Sequence, residues 1–215
     1  GQTGLAIGDA NKVVEYNPFQ GYMLLTEIHL KSGKYEKAVE YSNQALRSAS
    51  EAEKLFALIM RGTSYFRMGK YDQAIAEFDE IQKIDPQNVW SYNMRGLTYS
   101  TKGEQEKALA DYNRVLALDP KNSSVIVARG QAYALMNRMD EALADFMRAL
   151  ESGSHNPLVY KARGLIYYTK QQYKPAVADY NQVIELDPYD DDSYVQRGRV
   201  YVKTGDAAAA LQDFE

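Results

Sequence analysis

The chain has 215 residues, a formal net charge of −4 and no cysteine. The acidic balance gives no electrostatic footprint for a nucleic acid and disfavours an anionic membrane surface. Without cysteine, disulfides, thiolate chemistry and cysteine-ligated zinc are excluded.

The composition leaves the cellular compartment open. Hydrophobic residues make up 45% of the chain. No apolar run approaches the length of a membrane span, so we expect no direct membrane insertion. The absence of cysteine fits a bacterial cytoplasm and a bacterial periplasm equally. Because the chain begins with Gly1 rather than methionine, a trimmed leader is one explanation of its start.

A period of 34 residues runs through most of the chain. It is set by five glycines, each followed three positions later by a tyrosine. A fixed period of this length indicates stacked structural repeats. The pairs are Gly62 and Tyr65, Gly96 and Tyr99, Gly130 and Tyr133, Gly164 and Tyr167, and Gly198 and Tyr201.

The segment from Val89 to Asn122 carries the complete motif. Its order is a glycine, a tyrosine, an alanine followed four positions later by an aromatic residue, and a proline. These residues are Gly96, Tyr99, Ala108, Tyr112 and Pro120. The order resembles the tetratricopeptide repeat, in its bacterial type. The resemblance implies an all-α fold, a right-handed α-solenoid of stacked antiparallel helix pairs.

The repeat divides the chain into units that we expect to form one solenoid domain. A partial N-terminal unit with only a second helix precedes a divergent first unit, four regular units and a truncated last one. Their bounds are 1–18 for the partial unit, 19–54 for the divergent one, 55–88, 89–122, 123–156 and 157–190 for the regular ones, and 191–215 for the last.

Each unit reads as two helices joined by a tight turn. Glycine, or Asn137 in the unit 123–156, stands where the first helix ends and can take the left-handed conformation. The second helix ends at Asp-Pro in three units, since proline cannot continue a helix. Gly96 and Ala108 are small enough to let the two helices of a unit approach closely.

Arginine precedes the repeat glycine in five units, where the family usually has an aliphatic residue. An acid follows each arginine sixteen positions later. The divergent unit has Leu25 and Tyr41 instead, so arginine and acid are present or absent together. We predict structural ion pairs, with the binding of an anionic ligand as the alternative. The predicted pairs are Arg61 with Glu77, Arg95 with Asp111, Arg129 with Asp145, Arg163 with Asp179, and Arg197 with Asp213.

The resemblance also implies that first helices line a groove. Many positions that should face it are large and apolar, which favours a site for a peptide or a segment of a partner protein. Trp90 is the only tryptophan and a natural anchor. The alternative is that Trp90, Phe56 and Leu158 are core residues between repeats. The predicted groove residues are Phe56, Ile59, Thr63, Phe66, Trp90, Asn93, Leu97, Val127, Gln131, Leu158, Lys161, Leu165 and Tyr168.

Two known uses of such grooves are disfavoured. Chaperone-binding members hold a carboxylate with lysine and asparagine in one unit, but here Lys161 is followed by Leu165, and Asn93 by Leu97. Members fused to glycosyl transfer domains carry an asparagine ladder. The corresponding positions here are Leu24, Met60, Met94, Ala128, Ala162 and Gln196.

Catalysis is not expected, and neither a cofactor nor a metal site is predicted. His29 occupies a position that tyrosine fills elsewhere, and His155 lies in a polar loop. Two distant histidines without cysteine make neither a zinc site nor a nucleophile–base pair. The acidic run 190–192 lacks the spacing of a calcium loop and indicates a helix start.

Two classes of function therefore remain. The first is a non-enzymatic scaffold that binds a protein or peptide partner and no nucleic acid. The second is a self-associating module, a homo-oligomer formed through the last unit. The second rests on the apolar face of the last helix, since solenoids normally end in a polar cap. That face contains Ala207–Ala210, Leu211 and Phe214.

Overall fold

The computed structural model describes residues 2–215, which form thirteen α-helices and no strand. Gly1, on which the suggestion of a trimmed leader rests, lies outside the described residues. The helices are α1 Gln2–Tyr16, α2 Pro18–Lys31, α3 Tyr35–Ser48, α4 Glu51–Arg67, α5 Tyr71–Ile84, α6 Val89–Thr101, α7 Gln105–Leu118, α8 Ser123–Leu135, α9 Met139–Glu151, α10 Pro157–Thr169, α11 Tyr173–Leu186, α12 Asp191–Thr204 and α13 Ala207–Phe214.

The helices pack in sequential pairs. The even-numbered helices from α2 to α12 are the first helices of the units, and each packs against the second helix that follows it. Helix α1 packs against α2 and takes the place of a second helix. The predicted all-α solenoid of helix pairs is therefore confirmed.

The chain divides into two compact units, Gly1–Leu118 and Asp119–Glu215. In the first, a core cluster forms around Phe78, with Leu58, Ala74 and Ile81. In the second, one cluster forms around Phe146 and another around Tyr180. The Phe146 cluster contains Ala142, Val159 and Ile166, and the Tyr180 cluster contains Ala176 and Val200.

The last residue of a repeat unit, an asparagine or an aspartate, caps the first helix of the next unit. The side-chain oxygen accepts a hydrogen bond from a backbone N–H in the first turn, which would otherwise lack a partner. Asn88 accepts from Ser91 at 2.9 Å, Asn122 from Val125 at 3.3 Å, Asn156 from Leu158 at 3.0 Å, and Asp190 from Ser193 at 2.9 Å. The acidic run at 190–192 is thus the start of α12.

Left-handed residues form the turns inside the units. Glycine takes this conformation without strain. In the units 123–156 and 157–190, however, Asn137 and Gln171 hold the same position, with φ of 59° and 60°. Asparagine was expected there, whereas glutamine rarely adopts a positive φ. The glycines at this turn are Gly33, Gly69, Gly103 and Gly205.

The repeat glycine brings the two helices of a unit together. A Cβ added at Gly96 would lie 2.8 Å from Cε1 of Tyr112, and one at Gly130 would lie 2.8 Å from Cε1 of Phe146. The facing alanine Ala108 is fully buried. A larger residue at Gly96 or Gly130 would therefore push the aromatic ring out of the core.

Candidate functional site

Each of the five arginines binds a carboxylate on the second helix of its own unit. Arg61 donates to Glu77 at 2.8 Å through one nitrogen. The other four arginines hold an aspartate with two parallel hydrogen bonds, the geometry in which a guanidinium matches a carboxylate best. The two distances are 2.9 and 2.6 Å for Arg95–Asp111, 2.8 and 2.7 Å for Arg129–Asp145, 2.9 and 2.6 Å for Arg163–Asp179, and 2.9 and 2.6 Å for Arg197–Asp213.

Arg61, Arg95 and Arg197 also reach the second helix of the preceding unit. Arg61 donates to Oδ1 of Asn43 at 2.7 Å, Arg197 donates to Oδ1 of Asn181 at 2.5 Å, and Arg95 donates to Asp79. Met147 occupies the corresponding position opposite Arg163. Each of these three arginines therefore connects three helices.

Tyrosines of the same helix enclose the arginine. The guanidinium of Arg95 lies 5.6 Å from the ring centre of Tyr92 and 5.9 Å from that of Tyr99. The hydrogen bonds to Asp111 raise the pKa of Arg95, so it remains a cation. Burial raises the pKa of Asp111 against the opposing effect of these bonds. Arg95 already donates to Asp111 and Asp79 from all three of its nitrogens, so its positive charge is balanced within the protein.

On the compact unit Gly1–Leu118, the predicted groove residues fall into two groups. Phe56 is 51% exposed, and Leu97 is also exposed. Trp90 is half-buried, with its ring edge-on to Phe78 at 5.6 Å between ring centres. Ile59 and Phe66 pack against the same Phe78 cluster as Trp90. These three side chains serve the core as well as the surface.

The two polar predicted groove residues of this unit are half-buried. Thr63 donates its hydroxyl to the backbone carbonyl of Ile59 at 2.7 Å, so this hydroxyl has its partner within its own helix. Asn93 lies one turn from Trp90 on α6.

On the compact unit Asp119–Glu215, four predicted groove residues line a pocket with a volume of about 280 Å³. Leu158 and Leu165 form its apolar rim and are 59% and 52% exposed. The first helices α8, α10 and α12 supply the walls, and α11 supplies the floor. The lining consists of Gln131, Leu158, Lys161, Ala162, Leu165, Tyr180, Asp192 and Gln196.

Two further predicted groove residues of this unit lie outside the pocket. Val127 packs against the Phe146 cluster. The ring of Tyr168 lies 6.1 Å from that of Tyr173. Both side chains are half-buried, so they are partly core residues.

Lys161 fixes the charges at the pocket rim. Its Nζ lies 3.0 Å from Asp190 and 2.9 Å from Asp192. Asp192 also accepts a hydrogen bond of 3.1 Å from Gln196. The hydrogen bond from Lys161 lowers the pKa of Asp192, so this carboxylate is ionised at neutral pH. The charged groups of the rim therefore already have partners within the protein.

The sequence analysis did not identify Tyr180 as a residue of the pocket. Tyr180 is 1% exposed, and its hydroxyl has no hydrogen-bond partner among the described residues. A comparison of equivalent positions in the repeats would have drawn attention to Tyr180. Ser100 lies near the equivalent Tyr112 and opposes the rise that burial causes in its pKa, whereas Tyr168 stands at the serine position here.

The two histidines lie in different environments. His29 is buried, and its ring stacks on Tyr41 with 5.3 Å between ring centres. His155 is exposed in the loop after α9. Within residues 2–215, His, Asp and Glu side chains nowhere form a group of three that could hold a metal ion. None of the helices over this range has the length and apolar character to cross a membrane.

Comparison with protein families gives one consistent match. Models of the tetratricopeptide repeat match residues 53–121, 19–51 and 123–152, and a further TPR repeat model matches 164–205. These stretches include most of the helices described above. Among curated proteins, none matches the chain.

Solved structures show the same fold at low sequence identity. A tetratricopeptide repeat protein from Parabacteroides merdae is 23% identical with a TM-score of 0.78, covering 91% of this chain and 77% of that one. MamA from Desulfovibrio magneticus is 20% identical with a TM-score of 0.73, covering 80% and 97%. YrrB, described as a TPR protein with an unusual peptide-binding site, is 20% identical with a TM-score of 0.68, covering 86% and 95%.

Proposed function

Because the chain belongs to the tetratricopeptide repeat family, we propose that it is a non-enzymatic scaffold that binds a peptide or a segment of a partner protein on its first helices. The observation that carries this proposal is the pair Leu158 and Leu165. Both leucines are more than half exposed beside a pocket that three first helices form.

Burial of these leucines would supply much of the binding free energy. Removing apolar surface from water yields about 25 cal/mol per Å². The two exposed leucines lie about two turns apart on α10. On the compact unit Gly1–Leu118, Phe56 of α4 and Leu97 of α6 are also exposed. The peptide-binding site of YrrB, which has the same fold, supports a peptide as the ligand.

The test uses peptides selected from a random peptide library displayed on phage, with calorimetry on the synthetic peptides. Replacement of Leu158 and Leu165 together by aspartate should weaken the selected peptides at least about tenfold, because two apolar contacts are lost. Leu186→Asp is the matched control, since Leu186 is 48% exposed on the second helix α11. Equal affinities for the wild type and the double variant would contradict the proposal.

Trp90→Ala, the obvious single substitution, is a poor test. Trp90 packs against Phe78, so its removal would disturb the core and reduce binding for reasons of stability. Phe56→Asp with Leu97→Asp is the better variant on the compact unit Gly1–Leu118, because both side chains are exposed.

Self-association through the last helix stays a prediction. Leu211 and Phe214 of α13 are exposed and would be the contact residues. Light scattering over a range of protein concentrations tests it. A homo-oligomer is supported if the mass of the wild type rises with concentration while the mass of Leu211→Asp stays at the monomer value. A constant monomer mass of the wild type would contradict it.

A further inference from the structure

We propose that the pocket between Leu158, Leu165 and Asp192 is a subsite for one tryptophan side chain of the bound peptide, whose ring N–H donates a hydrogen bond to the Tyr180 hydroxyl. This inference rests on the proposed function and names the residue that the peptide must carry.

The chain itself shows what fills this position elsewhere. Three repeat periods earlier, Phe78 stands where Tyr180 stands, and Trp90 stands where Asp192 stands. There the indole of Trp90 lies edge-on to Phe78 at 5.6 Å, and Ile59 packs against the same cluster. The compact unit Gly1–Leu118 thus supplies its own indole at this place.

In the compact unit Asp119–Glu215, polar residues stand at the positions of these apolar ones, and the equivalent space is a pocket. Asp192 replaces the tryptophan, and Lys161 and Gln196 replace Ile59 and Met94. Lys161 and Gln196 both bond to Asp192 at the rim, and a space of about 280 Å³ remains beside Tyr180. The pocket therefore lies where an indole would otherwise pack.

The floor of the pocket lacks one hydrogen bond. The hydroxyl of Tyr180 is buried without a partner, and a buried polar group in this state is costly. A serine, Ser100, lies near the equivalent Tyr112, but Tyr168 occupies the serine position here. Burial raises the pKa of Tyr180, so the hydroxyl keeps its proton and can accept or donate. A ligand that reaches the floor would supply the missing bond.

The lining selects an aromatic group with a single donor. Leu158, Ala162 and Leu165 form an apolar wall, which favours a large ring. Lys161 already neutralises Asp192, so a basic side chain would have to displace it. An acidic side chain would meet the carboxylates of Asp190 and Asp192. Indole combines a large apolar surface with one N–H and therefore matches both requirements.

The first experiment compares three synthetic peptides, acetyl-Gly-Ser-X-Ser-Gly-amide with tryptophan, leucine or arginine at X. Titration is followed by amide chemical shifts of the labelled protein. We expect saturable binding of the tryptophan peptide, with the largest shifts at Leu158, Ala162 and Leu165. The leucine peptide should bind about fivefold more weakly or worse, because it cannot bond to Tyr180. Tighter binding of the arginine peptide would overturn the inference.

The second experiment changes the pocket. Tyr180→Phe should reduce affinity for the tryptophan peptide about fivefold. The variant will fold, because Phe78 and Phe146 hold this position in other units. Tyr112→Phe is the control and should leave the affinity unchanged. An unchanged affinity in Tyr180→Phe would overturn the inference.

A third variant separates this inference from the proposed function. Asp192→Trp should fill the pocket from within, as Trp90 does on Phe78, and abolish binding of the tryptophan peptide. One outcome is that the library-selected peptides lose affinity for the double variant at Leu158 and Leu165 but bind Asp192→Trp as tightly as the wild type. That result would support the binding surface and contradict the tryptophan subsite. If the peptides bind all of these variants as tightly as the wild type, both proposals are contradicted. If Asp192→Trp melts at a lower temperature than the wild type, the affinity of Tyr180→Phe is the test of the tryptophan subsite.

Discussion

Arg95 and Asp111 lie sixteen positions apart on the two helices of one unit and are joined by parallel hydrogen bonds of 2.9 and 2.6 Å. Asp111 is almost completely buried, and Arg95 also binds Asp79 of the preceding unit. The arginine thus compensates a carboxylate that water cannot reach. Loss of either partner would leave an unpaired charge in the interior.

Arg95→Ala should therefore lower the free energy of unfolding by about 3–5 kcal/mol. Urea denaturation followed by circular dichroism measures this change. The control is Arg67→Ala, since Arg67 is exposed at the end of α4 and its removal should change stability by no more than about 0.5 kcal/mol. Equal midpoints for the two variants would show that the pair contributes nothing.

The divergent unit suggests how a broken pair can be repaired. Leu25 and Tyr41 stand where other units have arginine and acid, and Leu25 is fully buried. Arg163→Leu alone should cost about 3–5 kcal/mol, because Asp179 is left unpaired. Adding Asp179→Tyr should recover most of that loss. A double variant as unstable as the single one would contradict this expectation, as thermal melting would show.

Close helix packing makes the repeat glycine sensitive to a single methyl group. Gly130→Ala places a Cβ 2.8 Å from the ring of Phe146, so we expect a loss of about 1–3 kcal/mol. Gly8→Ala is the matched control, because no atom lies within 4 Å of a Cβ at this helical glycine. There alanine should stabilise the helix by up to about 1 kcal/mol. Opposite signs in chemical denaturation are the expected result.

The turn at Gln171 stores backbone strain that glycine would remove. Its φ is 60°, a region that costs a residue with a side chain about 1–2 kcal/mol. Gln171→Gly should raise the melting temperature, although the greater freedom of glycine in the unfolded chain offsets part of the gain. Asn137→Gly, at φ 59°, should gain less, because asparagine tolerates this conformation. A larger gain at Asn137 would contradict the argument.

His29 should make the stability depend on pH. Burial lowers its pKa from 6.5, and Lys37 and Lys34 lower it further against the opposing effect of Glu40. As pH falls below about 6.5, the unfolded chain takes up the proton first, so the free energy of unfolding decreases until the folded pKa is passed.

The matched variant is His29→Tyr, the residue that other units carry. The difference in melting temperature between variant and wild type should grow as pH falls from about 7.5 to about 5.5. His155→Gln, which removes a histidine that is exposed in a loop, serves as the control. If the difference in melting temperature between His29→Tyr and the wild type does not change with pH, His29 is not the cause of the pH dependence.

The repeat period predicted the helix pairs because turn glycines, capping residues and small contact residues act locally. The pocket was not predictable in this way, because it depends on which residues meet across two repeats. Phe78 with Trp90 fills the space, whereas Tyr180 with Asp192 leaves it open. Trp90 was predicted as a groove anchor, with a core position as the alternative; its ring lies edge-on to Phe78 and is half-buried.

The arginine partners show the same limit. A search for acids finds Asp111 and Asp179 but not the neutral acceptors of the preceding unit. Asn43 is further hidden because two extra residues, Glu53 and Lys54, change its distance along the chain to Arg61. Spacing alone therefore identifies the bonds within a repeat better than those between repeats.

Met147 gives one junction a different character from the others. It stands sixteen positions before Arg163, as Asn181 stands before Arg197, and a thioether is only a weak acceptor. In a linear array each repeat is held by its neighbours, so a weakened junction permits the segment beyond it to open separately. Amide protons of α10 to α13 should then exchange with deuterium through a shared partial unfolding in which α8 and α9 remain closed.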